Sequence, residues 1–209
     1  MTTRLDYLYR KGIYEEELRK FVPHPQALSN SLQIFRLLQQ RQSELIFGEL
    51  TETQLEQSFN EQVFCRIFGY DSQFMQSAGQ FHVLPKVYQR KQYNDLSLGY
   101  RLGRSQFISR ATVELKGPNV NLEDGAIAQA FKYARTASSV DWIIVCNFKE
   151  LVLFDKTDDT KCLHFDLNQI TNVGSVRRIL FPISMGAFFD LNGRSARLKK
   201  VQRRVNVRP

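Results

Sequence analysis

The run Trp142-Ile-Ile-Val-Cys-Asn-Phe148 limits the fold more than any other segment of this chain. It has the length of a strand and almost no polar alternation, the pattern of a strand buried on both faces. Such a strand needs a sheet around it and a covering layer on each side. Residues 123–137 supply one cover, with Ile127, Ala130, Phe131 and Ala134 recurring at helical spacing. Residues 107–116 alternate as a strand ahead of that helix, so strand, helix and buried strand read as a crossover unit. Residues 79–88 and 93–100 read as two more strands of a meander that turns over residues 101–106. Two short strands, 151–155 and 162–167, follow around a turn at 156–160. The expected class is α/β, a mixed β-sheet flanked by helices on both faces.

Around that sheet the chain reads as helical lead-in and basic tail. Residues 6–42, with Leu5 just before them, show Leu8 and Tyr9, then Ile34, Leu37 and Leu38, at helical spacing, with a break near Pro23 and Pro25. A further helix is expected over residues 51–68, capped by Thr51 or Thr53 and stopped by Gly69. Its apolar stripe is Leu55, Phe59, Val63, Phe64 and Ile67, with Glu61 off the centre. The last segment holds Arg194, Arg197, Lys199, Lys200, Arg203, Arg204 and Arg208 and no acid, so it either lies on nucleic acid or is loose. The expected division is an N-terminal helical segment (1–50), a central domain (51–190) and a basic tail (191–209).

The formal charge of +8 favours a polyanionic partner, and nucleic acid leads, because Lys and Arg neutralise phosphates and release their counterions. Cys65, Cys146 and Cys162 are odd in number and lack metal-ligand spacing, which points to a reducing compartment. No apolar stretch approaches the roughly 20 residues of a membrane span, and the acidic residues soon after Met1 do not read as a signal peptide. A cytoplasmic protein is expected. His24, His82 and His164 are scattered, which argues against zinc chemistry, and Gly99 and Gly103 lack the spacing of a nucleotide-binding loop.

Chemistry concentrates where the strand 107–116 ends. In a strand Glu114 and Lys116 share one face while Val113 and Leu115 point to the other. Taken alone, such a pair is an ordinary surface ion pair of little energetic value. If residues 93–100 pair antiparallel with 107–116, Asp95 comes opposite Lys116 or Glu114 and two carboxylates meet at one place. Their repulsion would raise one pKa, and a hard divalent cation held by oxygens would remove that cost.

Asp95, then Glu114-Leu115-Lys116-Gly117-Pro118, then Gln129 and Tyr133 on the following helix, resemble the PD-(D/E)xK nuclease superfamily in its Gln-x-x-x-Tyr branch. Residues 59–64, 68–70 and 114–154 are similar to the N-terminal nuclease domain of type IIG restriction-modification enzymes. The resemblance covers residues 59–167 and departs at Asn94, where the motif has proline. It implies a restriction-endonuclease-like fold and a magnesium-dependent DNA endonuclease, with manganese as a substitute ion, acting in restriction-modification or DNA defence. By resemblance, Asp95, Glu114 and the Leu115 carbonyl hold the metal, Glu61 completes the site, and Lys116 orients and deprotonates the attacking water. Gln129 and Tyr133 face the scissile backbone. The partners implied are DNA, a second copy for two-strand cleavage, and a methyltransferase or specificity subunit or domain; no membrane and no nucleotide cofactor are implied. The alternative is a noncatalytic DNA-binding module or subunit that retains the nuclease fold.

Overall fold

The computed structural model describes residues 8, 11–44, 52–72, 82–89, 92–102, 106–190 and 196–206. The chain opens with α1 (Lys11–Lys20) and α2 (Pro25–Ser43); α3 (Glu52–Phe59) then continues as a π-helical segment, Asn60–Ile67. Strands β1 (Val83–Gln89), β2 (Gln92–Leu102) and β3 (Gln106–Leu115) form the meander. Helix α4 (Ala126–Thr136) crosses to β4 (Trp142–Cys146), and β5 (Glu150–Asp155) and β6 (Asp158–Asp166) follow. Helices α5 (Val173–Ile183) and α6 (Arg197–Asn206) close the fold. The six strands lie in the order β1-β2-β3-β4-β5-β6, with β3 and β4 parallel and the other neighbours antiparallel. This is the mixed sheet flanked by helices that the sequence predicts.

Strand β4 divides the core as its composition requires. Trp142, Ile144 and Cys146 enter a large core shared with α1, α2, α3, α5 and α6, while Ile143 and Val145 enter a smaller one beneath α4. All five of its residues are fully buried, and each large aliphatic contributes about 1.5–3 kcal/mol by leaving water. Helix α4 begins later than the periodicity predicts, because Gly125 adopts φ 96° and cannot extend the helix backward. At Gly99 the β2–β3 register shifts, and a Cβ there would lie 2.0 Å from the Ile108 carbonyl oxygen. Only glycine lets the strands approach so closely.

Within the C-terminal segment, residues 196–206 dock on the fold. Leu198 and Val201 of α6 are buried in the large core. Arg197 spends its guanidinium on the end of α5, donating to the carbonyls of Phe181 (3.0 Å), Ser184 (2.9 Å) and Met185 (3.1 Å) and to Ser184 Oγ (2.7 Å). It also stacks 4.7 Å above the Phe21 ring. Helix α5 starts with a capping box between Asn172 and Ser175. No helix among the described residues is long and apolar enough to cross a membrane.

His82 sets a pH dependence. Its ring is buried against Phe189, and burial pushes its pKa down, against the pull of Asp71 3.3 Å away. A depressed folded pKa means that the unfolded chain binds the proton more readily, so His82 favours the fold above about pH 6.5 and disfavours it as pH falls below. Urea midpoints at pH 7 and pH 5 should therefore differ, and His82→Asn should narrow that difference. An identical pH dependence in the variant would remove His82 from the account.

Candidate active site

The β2–β3 pairing decides which carboxylates meet. Leu96 stands opposite Val113, so Asp95, one residue further out, is level with Glu114 and on its face of the sheet. Asp95 Oδ2 accepts a 2.7 Å hydrogen bond from the Leu115 amide. Lys116 Nζ donates to Glu114 Oε1 at 2.6 Å. Glu114 is 2% exposed and lies with Lys116 where the parallel β3–β4 ladder ends, at the Lys116 amide bond to the Cys146 carbonyl (2.9 Å). The Cys146 thiol reports the same convergence: burial first, then the charges of Asp95 and Glu114, push its pKa well up.

A small cleft beside the end of β3 is lined by Leu115, Lys116 and Gly117 together with Leu55, Glu56, Phe59, Asn147 and Phe148; Lys116 borders it, and Asp95 and Glu114 do not line it. Asn147 fixes the loop after β3, donating to the Val120 carbonyl and accepting from the amides of Lys149 and Glu150. Glu61, the helical carboxylate implied by resemblance, is exposed on the π-helical segment, where its charge, after burial, helps raise the Cys65 thiol to about 11. Glu56 from the preceding turns lines the cleft instead, paired with Lys86 at 3.2 Å. The sequence carries a signal for it: Glu56 sits between Leu55 and Phe59, which set the buried face of α3.

Gln129 and Tyr133, four residues apart on α4, differ sharply in access. Gln129 is exposed, one turn from the helix start, whereas Tyr133 is 2% exposed and lies about 6 Å further along the helix, deep beneath it. Burial raises the Tyr133 pKa, offset in part by the Ser97 hydroxyl, and no well-aligned hydrogen bond reaches its oxygen. Tyr133 therefore packs under the site, and only Gln129 of the pair is open to a large ligand.

Among the described side chains of α6, Arg197 and Lys199 are held away from this site. Lys199 pairs with Asp141 at 3.4 Å and Gln202 donates to Asp155 at 2.5 Å. Asp155 lies opposite Trp142, at the end of β4 away from Cys146. That is three residues from the level of Glu114 and four from that of Leu115, about 10–13 Å along the strands. Arg197, expected as a nucleic-acid contact, turns its guanidinium to the carbonyls at the end of α5. Lys200 is exposed, while Arg194 and the Arg203 and Arg204 side chains lie outside the described residues.

Asp95, Glu114 and the Leu115 carbonyl are hard oxygen donors, the set a small divalent cation takes. The donor chemistry fits such an ion with two carboxylates; among the described residues no group of three or more His, Cys, Asp or Glu forms a fuller cage.

No family model matches the chain, and no curated protein matches it. Among solved structures it is similar to a chain of a cryo-EM structure of a DrdV–DNA complex, with 18% sequence identity and a TM-score of 0.46. The alignment covers 73% of this chain and 14% of that one, so this chain spans a small part of its length.

Proposed function

We propose that this chain is a metal-dependent DNA endonuclease of the PD-(D/E)xK type, hydrolysing phosphodiester bonds in restriction-modification or a related defence. The observation that supports it is the single site in which Asp95 and Glu114 stand level across β2 and β3 with Lys116 on Glu114 at 2.6 Å. Asp95, Glu114 and the Leu115 carbonyl would hold magnesium or manganese, and the bound ion would supply positive charge to the phosphate oxygens as the transition state forms. Lys116 Nζ, which borders the cleft, would orient a water there and hold or move its proton. Gln129, exposed on α4, would touch the nucleic-acid backbone, and the net charge of +8 would raise the local concentration of DNA. Cleavage of both strands would use two copies of the site, and a methyltransferase or specificity subunit would supply target selection.

The test is cleavage of plasmid and short duplex DNA with magnesium or manganese, using Asp95→Ala and Glu114→Ala as controls. Nicking that needs the metal and disappears in both variants is the expected result. Salt-dependent binding that survives Asp95→Ala, with no cleavage under any metal, would instead establish the noncatalytic DNA-binding module.

A further inference from the structure

The regular β2–β3 ladder near the site covers only Leu96, Ser97 and Leu98 against Val113, Thr112 and Ala111, because the bulge at Gly99 interrupts it on one side and Leu96↔Val113 ends it on the other. Asp95 lies just past that end; its neighbours Asn94 and Leu96 pair with Val87 and Pro85 of β1, and toward β3 its position is reinforced by side-chain ties. One is its own bond to the Leu115 amide. The other belongs to Asn94, the residue at which this chain departs from the nuclease motif.

Asn94 is 1% exposed, and its amide nitrogen lies 2.7 Å from the Leu96 carbonyl, 2.7 Å from Ser97 Oγ and 2.9 Å from Thr112 Oγ1. The Leu96 carbonyl can only accept, so this side-chain atom must be the nitrogen; its two hydrogens serve three acceptors, one of them shared. Two of these bonds fix the path of β2 just after Asp95, and the third crosses to β3 two residues before Glu114. The tie is dry, since Ser97 and Thr112 are 0% and 1% exposed. In such surroundings a lost partner leaves buried hydroxyls unmatched, and the strands would shift to re-satisfy them.

We propose that Asn94 is a positioning residue: through Thr112 and Ser97 it sets the spacing between the Asp95 and Glu114 carboxylates and so tunes the affinity of the site for a divalent cation. The metal half of this rests on reading Asp95 and Glu114 as a metal site; the spacing half does not. Amide hydrogen exchange at Leu115, whose N–H is held by Asp95, reports the spacing without metal, and the Lys116 amide, bonded to the Cys146 carbonyl on β4, is the internal reference. Manganese titration followed by electron paramagnetic resonance reports the affinity.

In Asn94→Ala, Leu115 exchange should accelerate relative to Lys116, and manganese affinity should fall about tenfold, as when an outer partner of a metal ligand is removed. Unchanged Leu115 exchange overturns the proposal. If Asn94→Ala does not fold, Thr112→Val removes the cross-strand tie at nearly constant volume, and the same acceleration or its absence decides. If wild-type manganese binding is indifferent to Asp95→Ala, the metal reading of the site fails, while Leu115 exchange still judges Asn94.

Discussion

Lys116→Ala is expected to lower metal-dependent DNA cleavage by about 10²–10⁴-fold, the range for loss of a positioned proton-transfer group. The size follows from what the side chain does at once. Its ammonium sits 2.6 Å from a carboxylate that is 2% exposed, and its 21% exposed side chain also forms part of the cleft wall. Without Lys116, Glu114 keeps its burial but loses its paired cation, and the proton on an attacking water loses its nearest cationic partner. DNA affinity should change little, because one charge among a net +8 contributes a small part of the electrostatic attraction. Lys116→Met, which keeps the apolar stem against the cleft, should match alanine in cleavage and exceed it in thermal stability. Single-turnover cleavage and filter binding, measured together, make the check. A rate within tenfold of wild type would reduce Lys116 to an ion-pair partner of Glu114.

Arg197→Ala is expected to destabilise the fold by about 2 kcal/mol, since it removes the donor from the half-buried Phe181 carbonyl and Ser184 Oγ. The guanidinium serves the carbonyls of Phe181, Ser184 and Met185 where α5 ends, and Ser184 Oγ besides, with the Ser184 carbonyl also accepting from the Ala187 amide. Burial lowers its pKa to about 10, with Tyr70 opposing, so it stays charged at neutral pH. Arg197→Lys should recover little, because one ammonium cannot reach acceptors spread along a fork. Urea unfolding of both variants checks this. If Arg197→Ala unfolds at the wild-type midpoint but binds DNA more weakly, the side chain belongs to a nucleic-acid surface after all.

Much of the sheet was legible because it rests on composition. Trp142 to Cys146 could be read as doubly buried from five consecutive apolar residues, and the spacing of Ile127, Ala130, Phe131 and Ala134 placed α4 against it. Helix α5 escaped the reading, although Asn172 and Ser175 form a capping box, and Pro182 near its end obscured the pattern. In the basic tail, charge counts do not show where a guanidinium ends; Leu198 and Val201, three residues apart, were the sign that residues 196–206 dock. At the site, the level pairing of Asp95 with Glu114 followed from antiparallel register. Access did not. Gln129 and Tyr133 share a helix face, yet the depth of β2 beneath α4 buries one and leaves the other open. Glu56 rather than Glu61 on the cleft, and the polar tie made by Asn94, depend on three-dimensional neighbours that no local spacing encodes.

The sheet order has a consequence for how the molecule comes together. Every strand neighbours its predecessor in the chain, so the sheet can grow by adding one hairpin at a time, with a single crossover through α4. Asp95, Glu114 and Lys116 all fall on or just after the β2–β3 hairpin, and closing that one short loop brings them together. Short-range closure is fast, whereas the large core that buries the other face draws on α1 and α6 from distant parts of the sequence and must form later. The chemical centre is therefore expected to be among the earliest parts of the protein to organise, and refolding followed by Leu115 amide protection should show it ahead of the amides of α6.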